Sequence, residues 1–296
     1  MRVVITGATG TIGRAVVGRL QARGDDIAAL SRDARRGREA LGVEVHEWDA
    51  VHAPPAAALE GADAVVHLLG ERIDQRWSDD AKHRIRASRV DSTRALVEGM
   101  RAAGTPVLIS QSAVGVYGPR GAEPLDETAA PGDDFVAGVV KAWEGEARAA
   151  GDFARVVTTR TGVVLSSDGG ALAKMLPFFK LGIGGPVAGG KQFVAWIHLD
   201  DVAGAIVHCL DDDRASGPVN VTAPRPVTNA ELSKALGRVI HRPAFLPVPG
   251  LAVKALYGEM AQVVTTGQNV VPRRLGELGY AFAQPELEPA LRDVLG

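Results

Sequence analysis

The sequence predicts an α/β protein built on a doubly wound Rossmann parallel sheet, with a smaller mixed region that covers a substrate on its C-terminal side. Short apolar runs alternate with longer helical patterns through the first half of the chain, and this order requires crossover connections and a parallel sheet. The strands are apolar runs, as expected where helices cover both faces of a sheet. A glycine-rich turn directly after the first run is typical of a sheet that binds a ligand at its carboxyl edge.

The elements of the first half follow from these patterns. Strands are predicted at residues 2–6, 27–30, 43–48, 64–69, 107–110 and 155–159. Helices are predicted at about residues 11–22, from the second strand through 38, at 79–102 and at 133–149. Residues 1–161 therefore form the predicted nucleotide-binding core, and parts of 191–222 complete its sheet.

The alternation becomes less regular from residue 162. Within 162–242, where core and substrate-covering segments interleave, the patterns predict strands at 191–198 and 218–221. Helices are predicted at 200–210, with Asp200 as its N-cap, and from Asn229, also as a cap, to 240. A proline-rich link then opens a short C-terminal helical domain, 243–296.

Composition excludes several classes of protein. The chain has 296 residues, of which 46% are hydrophobic and 23% charged, which excludes disordered and fibrous proteins. No apolar stretch reaches the roughly 20 residues of a membrane span, and the first residues lack the pattern of a signal peptide. A single cysteine, Cys209, excludes an intrachain disulfide, and the net charge of -2 argues against a nucleic-acid binder. We expect a cytoplasmic protein without nucleic-acid or membrane partners.

The turn after the first strand, TGATGTIG at residues 6–13, has glycines at three-residue spacing. The first glycine permits a tight turn, the second lets backbone N–H groups approach a pyrophosphate, and the third lets the helix pack closely on the strand. The strand before it and the amphipathic helix after it are the context that this motif requires. The predicted cofactor-binding residues of the loop are Gly7, Thr9, Gly10, Thr11, Ile12 and Gly13.

The end of the second strand distinguishes the two nicotinamide cofactors. An NAD site has a carboxylate here for the ribose 2′-hydroxyl, whereas this chain has Ser31 and Arg32. A hydroxyl and a guanidinium suit a 2′-phosphate, so NADP is predicted. NAD stays open as an alternative, because Asp33 would serve as the carboxylate if the strand ran two residues further.

Two further positions follow predicted strands. Asp49 is positioned either to accept a hydrogen bond from the adenine amino group or to begin an ordinary loop. Leu69 and Gly70 end the fourth strand, where the backbone is expected to pass close to the adenosine.

Three motifs carry a resemblance to a known superfamily: TGATGTIG, ISQSAVGVYG at 109–118, and WIHLDDVAGAI at 196–206. In these the chain resembles the short-chain dehydrogenase/reductases, in their extended NAD(P)-dependent epimerase/dehydratase form. More narrowly it resembles the branch often labelled epimerase family protein, or nucleoside-diphosphate-sugar epimerase, which ends in a short domain of unknown function. This narrower resemblance rests on WSDDAKHRIRASRVDST (77–93), GGPVAGGKQFVAWIH (184–198), VNVTAPRPVTNAEL (219–232) and GEMAQVVTTGQNVVPRRLGELGYAF (258–282).

The resemblance implies a serine after the fifth strand, and a tyrosine with a lysine four residues later, as the groups that perform hydride chemistry. Ser112 matches the serine. Aligning Glu144 with the glutamate common on the next helix places Val136 and Val140 at the other two positions. Lys141 is one residue late, about 100° around the helix.

Ser112 and His198 are therefore the candidate catalytic residues. The unperturbed pKa of histidine lies near neutrality. The alternative for His198 is a packing histidine at the start of a helix, and it is the commoner one for such a residue. No histidine has a second histidine or a cysteine at i, i+4 spacing, so no metal site is predicted.

The candidate substrate contacts are Arg72, Tyr117, Lys191 and Trp196. For Arg72 a surface ion pair is the alternative, and for Tyr117 a structural role. The glycine-rich segment 182–190 is either a mobile lid over the pocket or a tight irregular turn.

Two functions follow from these features. The first is an NADP(H)-dependent oxidoreductase or epimerase-like enzyme acting on a small carbonyl or hydroxyl compound, with a nucleotide sugar as one candidate. The second is a sensor or regulatory protein that binds the cofactor but has lost turnover. Many relatives of this fold pair helices across a dimer interface, and a homodimer is one expected state.

Overall fold

A computed structural model describes all of residues 1–296. Its strands are β1 (Arg2–Thr6), β2 (Asp26–Ser31), β3 (Glu44–Glu47), β4 (Ala64–His67), β5 (Val107–Ala113), β6 (Pro124–Leu125), β7 (Arg155–Thr161), β8 (Val163–Leu165), β9 (Phe193–Val194), β10 (Trp196–His198), β11 (Gly217–Val221), β12 (Val227–Thr228) and β13 (Asn269–Val270). Its helices are α1 (Thr11–Arg23), α2 (Ala34–Leu41), α3 (Ala56–Leu59), α4 (Asp79–Ala103), α5 (Phe135–Arg148), α6 (Gly170–Lys180), α7 (Leu199–Asp211), α8 (Asn229–Val239), α9 (Gly250–Tyr257), α10 (Ala261–Thr265), α11 (Arg273–Glu277) and α12 (Leu287–Leu295). None of these helices is both long and apolar enough to cross a membrane.

Seven strands form one parallel sheet in the order β11-β7-β5-β4-β1-β2-β3. The chain builds outward from β1 to β3 and then returns to β4 on the other side of β1, so the strand order reverses between β1 and β4. Ligands of doubly wound sheets bind in the crevice at such a reversal, outside the carboxyl ends of the strands. The predicted fold class is confirmed.

Two apolar layers enclose the sheet. Alternate residues of β1 point to opposite faces: Val3 and Ile5 pack with α1 and α7, whereas Val4 packs with α3 and α4. Both faces of the central strands are fully buried, which is why their sequences are continuous apolar runs.

Three two-stranded sheets lie outside the main sheet and pair β10 with β8, β12 with β9, and β13 with β6. All of their strands except β6 come from the C-terminal half. A further core of α6, α8 and α12 includes Leu172, Trp196 and Leu236. Residues 243–296 have no separate large core, because Leu275 of α11 joins the core beneath the main sheet and Leu291 of α12 joins that of α6 and α8.

Two predicted helix caps are wrong. His198, not Asp200, caps α7, and Thr228, not Asn229, caps α8 in a reciprocal capping box with Glu231. Asn229 instead accepts a hydrogen bond from the Val187 N–H at 2.8 Å. The caps differ because each helix start offers two polar side chains within three residues, and tertiary contacts select between them.

Candidate functional site

Two glycines of the loop after β1 lie so close to neighbouring backbone atoms that no side chain would fit. Gly7 has φ +65°, and a Cβ there would lie 2.8 Å from the carbonyl of Leu68, just past β4. A Cβ on Gly13 would lie 2.3 Å from the Gly7 carbonyl oxygen. Both positions therefore require glycine, one for its left-handed conformation and one for the close approach of α1 to the turn.

The N-terminus of α1 is open toward this loop. Its cap, Gly10, supplies no side-chain hydrogen bond, and no acidic residue occupies the first turn. The first-turn N–H groups have no carbonyl one turn earlier to bond, and with the helix dipole they form an anion-binding end. Thr11 begins the helix, and a Cβ on Gly169 would lie 2.9 Å from its Oγ1, so the segment after β8 covers the loop.

The two remaining loop residues differ in exposure. Thr9 is exposed, and its carbonyl accepts a hydrogen bond from Arg14 Nη1 at 2.6 Å. Ile12 is half-buried and packs against the core beneath the sheet, so only its backbone faces the anion-binding end.

The carboxyl end of β2 presents cations without carboxylate partners. Ser31 ends the strand, and Arg32 follows it, exposed and without an ion pair or hydrogen bond. Asp33 does not extend the strand: its carboxylate caps α2 by accepting from the Arg36 N–H at 2.9 Å. The acidic group that would bind a ribose 2′-hydroxyl is thus engaged in a helix cap, whereas the guanidinium next to it is free.

Asp49 is engaged in its own turn. Its carboxylate accepts from the N–H groups of Val51 and His52 and lies 2.7 Å from His52 Nδ1. The hydrogen bond with His52 holds the pKa of Asp49 well below its usual range. This geometry favours the ordinary loop start over a contact with adenine, since the two oxygens already have three partners.

Leu69 and Gly70 lie past the end of β4, which stops at His67 rather than at the predicted residue 69. Leu69 packs against the α3 and α4 core, and Gly70 is exposed. A Cβ on Gly70 would lie 3.0 Å from the guanidinium carbon of Arg89, a residue of α4. The backbone at this edge therefore lies directly against a cation.

At the end of β5, Ser112 belongs to a closed network. Its hydroxyl donates to Glu144 Oε1 at 2.6 Å, and Arg160 donates to both Glu144 oxygens at 2.8 and 2.9 Å. Arg160 also donates to the Tyr117 hydroxyl at 3.0 Å, which donates to Asn220 at 2.7 Å. Every member is buried, so the Ser112 proton is held by a carboxylate inside the protein.

The positions of the absent tyrosine and lysine are apolar. Val136 packs beneath Gly115, where a glycine Cβ would lie 2.5 Å from Cγ1 of the valine. Val140 is buried in the same cluster, and Lys141 is exposed on α5. Neither position offers a group that transfers a proton.

His198 lies apart from Ser112 and connects two helices. Its Nδ1 accepts from the Asp200 N–H at 3.2 Å, and its Nε2 lies 3.2 Å from Asp293 of α12. These three residues have ligand atoms within 4.8 Å of one another. Nδ1 accepts from a backbone N–H, so its lone pair is not available to a metal. Nε2 is buried near Asp293 but forms no hydrogen bond. The geometry favours the packing interpretation of His198.

Two of the four predicted substrate contacts are buried within the protein. Trp196 is 1% exposed, packs in the core of α6 and α8, and donates to the Arg225 carbonyl. Tyr117 is fully buried in the network of Ser112, and burial raises its pKa. Both aromatic rings are buried in apolar cores, and their burial could not be predicted from the neighbouring residues in the sequence.

The other two substrate candidates are exposed. Arg72 pairs with Asp74, which also pairs with Lys174 of α6 at 2.6 Å. Hydrogen bonding to Arg72, with the Lys174 charge, keeps the pKa of Asp74 well below its usual range. Lys191 has no ion pair, and it stays a candidate.

The segment 182–190 is a turn that is held by backbone contacts to the proline-rich link. Val187 bridges to Val248, and Ala188 N–H donates to the Val248 carbonyl at 2.9 Å. A Cβ on Gly185 would lie 2.0 Å from the Leu246 carbonyl oxygen. Its glycines therefore serve close backbone packing on the proline-rich link, which favours the tight turn over the lid.

The contact between Arg89 and Trp143 was not predicted. Arg89 lies over the Trp143 ring, 5.3 Å from its centroid, and Trp143 Nε1 is buried without a hydrogen-bond partner. No short motif signals this pair, because α4 and α5 bring the two residues together from 54 positions apart.

The comparisons with known proteins agree with this architecture. The profile of the NAD dependent epimerase/dehydratase family matches residues 3–222, and that of a domain of unknown function, DUF1731, matches 248–294. The chain is 40% identical over its full length to 87% of the epimerase family protein SDR39U1 homolog, chloroplastic, of Arabidopsis thaliana. It is 37% identical to the human epimerase family protein SDR39U1, with each chain covered in full.

Solved structures match over the whole chain as well. Human SDR39U1 (isoform 2), crystallised with NADPH, superposes with a TM-score of 0.91 at 36% identity and covers 99% of each chain. A nucleoside-diphosphate sugar epimerase of Corynebacterium glutamicum superposes with a TM-score of 0.80 at 35% identity, over 100% of this chain and 58% of that one. The resemblance found in the sequence motifs is confirmed.

Proposed function

The chain belongs to the NAD-dependent epimerase/dehydratase family, and from that membership we propose that it is an NADP(H)-dependent oxidoreductase or epimerase-like enzyme. Its substrate class is a small carbonyl or hydroxyl compound. The observation that carries the cofactor assignment is the end of β2, where Arg32 is unpaired while Asp33 caps α2. An arginine fork binds a 2′-phosphate with charge-assisted hydrogen bonds, and the NADPH in the human SDR39U1 crystal supports the same choice.

The rest of the cleft fits a dinucleotide that extends from the end of β2, past β1 and β4, toward β5. With the adenosine at the end of β2, the pyrophosphate would meet the open N-terminus of α1 at Gly10. The remaining half would then extend across β4 toward β5. A bound NADPH would supply a hydride at that end.

The cofactor assignment is tested by titrating the purified chain with NADPH and NADH and following nicotinamide fluorescence. We expect NADPH to bind at least roughly tenfold more tightly, the smallest change that one charge-assisted contact gives. Equal affinities, or tighter binding of NADH, would overturn the assignment to NADP(H).

Turnover is tested by hydride exchange. The protein is incubated with NADPH deuterated at C4, on either face, together with a metabolite extract that contains nucleotide sugars. Mass spectrometry then identifies compounds that gain deuterium, and a Gly13→Ala chain, which should not bind the cofactor, is the control. Absence of transfer to any compound, in a chain that binds NADPH, would count against the enzyme.

The second candidate function is a cofactor-binding regulator without turnover. Two observations favour it: Val136 and Val140 replace the proton-transfer pair, and the Ser112 hydroxyl donates a hydrogen bond to Glu144. A regulator would bind NADPH tightly and change its oligomeric state or partners between NADPH and NADP⁺, while the deuterium experiment stays negative. Analytical ultracentrifugation with each cofactor measures this.

We also propose a cytoplasmic location. The single cysteine, Cys209, is buried and unpaired, which suits a reducing compartment. The plant relative is named chloroplastic, so fractionation of cells that express a tagged chain is the test, with recovery in an organelle as the contrary result.

A further inference from the structure

Tyr257 carries the one phenol hydroxyl of this chain that has no hydrogen-bond partner within the protein. The chain has three tyrosines. The hydroxyl of Tyr117 donates to Asn220 at 2.7 Å, and that of Tyr280 donates to Asp201 at 3.0 Å. The hydroxyl of Tyr257 bonds to no residue, although the side chain is half-buried. A phenol is the proton-transfer group that extended reductases have on the helix after the fifth strand and that this chain lacks there.

Helix α9 directs Tyr257 toward the protein. Tyr257 ends this helix, one turn after Val253, which is 7% exposed. Residues four apart lie on the same face of a helix, so both side chains point inward. Leu251 and Leu256 point outward and are 83% and 71% exposed. The Tyr257 ring is therefore packed against the protein and is not an ordinary surface aromatic.

The apolar cluster that Tyr257 packs against also contains the position of the missing tyrosine. Its buried members are Trp77, Ile85, Val139 and Met260, and the half-buried side chains around them are Ile73, Phe135, Val136 and Tyr257. Val136 stands at the tyrosine position, and its Cγ1 lies 2.5 Å from the position of a Cβ on Gly115, just past β5. One cluster therefore connects Tyr257 with the carboxyl end of β5, the end of the cleft that we assign to the nicotinamide.

Two hydrogen bonds fix the segment that carries Tyr257 in this place. After it in the chain, Gln262 donates to Asp134, the N-cap of α5, at 3.1 Å. Before it, the Ala255 carbonyl accepts from Arg76, in the loop after β4, at 3.3 Å. Because these contacts lie on both sides of Tyr257, its position relative to the start of α5 is set by the fold.

We propose that Tyr257, supplied by the C-terminal segment 243–296, is the proton donor and acceptor of the reaction in place of the tyrosine that α5 lacks. This inference rests on the proposed oxidoreductase or epimerase-like function. In carbonyl reduction the carbonyl carbon gains the hydride that NADPH supplies, and the carbonyl oxygen gains the proton of the Tyr257 hydroxyl. The carbonyl is reduced to an alcohol, NADPH is oxidised to NADP⁺, and water returns a proton to the phenolate. Oxidation of a hydroxyl compound reverses these transfers.

The first test measures whether Tyr257 lies beside the nicotinamide, and it does not depend on turnover. The full chain is labelled with isotopic tyrosine at Cζ, and the NMR signal that Tyr257→Phe removes is assigned to Tyr257. Its ionisation is followed against pH with NADPH and with NADP⁺ bound. We expect ionisation at a pH lower by about 0.5 to 1 with NADP⁺, because its positive ring favours the phenolate. Identical titration with both nucleotides would overturn the inference.

The second test separates proton transfer from cofactor binding. Tyr257→Phe keeps the ring and its packing, so NADPH affinity should stay within about twofold, while deuterium transfer should fall at least roughly 100-fold. Tyr280→Phe is the matched control, because it removes the other phenol hydroxyl of the C-terminal segment, which bonds to Asp201. It should leave deuterium transfer unchanged.

The outcomes distinguish this inference from the proposed function. Wild-type transfer by Tyr257→Phe would overturn the inference and leave the proposed enzyme intact. Losses of NADPH affinity and of transfer that match each other would also overturn it, as the mark of a structural role. If the wild-type chain binds NADPH but transfers deuterium to no compound, the proposed enzyme is wrong, and the proton transfer by Tyr257 is wrong with it.

Discussion

The polar groups at the two ends of the cleft differ in whether they have hydrogen-bond partners inside the protein. After β2 and at the start of α1, donors have no partner inside the protein: Arg32 is unpaired and the first turn of α1 is uncapped. After β5, the hydroxyl of Ser112 and the guanidinium of Arg160 both bond to Glu144. The difference indicates that the end of β2 and the start of α1 bind a ligand, whereas the polar groups at the end of β5 stabilise the fold.

The closed end also explains where this chain departs from the serine, tyrosine and lysine of extended reductases. The network joins β5, α5, β7 and β11 through Glu144, Arg160 and Asn220. Such a buried set of charges is stable only when each member is paired. Recruiting Ser112 for proton transfer would take one donor away from Glu144.

The largest expected effect comes from opening this network. Glu144→Gln leaves the buried Arg160 without its carboxylate, and we expect the free energy of unfolding to fall by about 3–5 kcal/mol. Urea denaturation monitored by circular dichroism measures it. The matched control is Glu146→Gln, on the same helix, whose pair with Arg94 is exposed and should contribute less than about 1 kcal/mol. Similar losses for both variants would show that the network is not the stabilising element.

The next largest effect is the loss of cofactor binding at the glycine loop. Gly13→Ala places a methyl group 2.3 Å from the Gly7 carbonyl oxygen, so the loop must shift, at a cost of about 1–3 kcal/mol. Fluorescence titration should detect no NADPH binding. Gly18→Ala, on the same helix with no atom near its Cβ, should bind normally and gain up to about 1 kcal/mol. Normal binding by Gly13→Ala would contradict the role of the loop.

A smaller and more selective effect is expected at the end of β2. Arg32→Ala should weaken NADPH binding roughly 10- to 100-fold while NADH binding changes little, because only NADPH carries the 2′-phosphate. Asp33→Ala, which removes the cap of α2, should instead cost about 1 kcal/mol of stability and leave the preference for NADPH intact. Isothermal titration with both cofactors separates the two, and a switch toward NADPH in Asp33→Ala would reopen the NAD alternative.

The sequence was sufficient to predict the cofactor-binding residues after β1 and β2, because each of these features depends on residues that are close in the chain. Gly7, Gly10 and Gly13 belong to one turn, and Ser31 and Arg32 lie at the end of one strand, so neighbouring residues determine both features. The closed end depends on residues far apart: Ser112 meets Glu144 and Tyr117 meets Asn220 only after the sheet forms. Trp196 was misplaced for the same reason, since its burial depends on α6, α8 and α12.

The smallest effect should come from His198, although it was a catalytic candidate. His198→Asn keeps a side chain that caps α7 and removes the contact with Asp293 of α12. We expect a stability loss of about 1 kcal/mol with NADPH affinity, and any deuterium transfer, unchanged. Asp293→Asn is the control that removes only the carboxylate. If His198→Asn abolished transfer while Asp293→Asn did not, the imidazole would act on the substrate, and the chemical end of the cleft would extend beyond Ser112 to the start of α7.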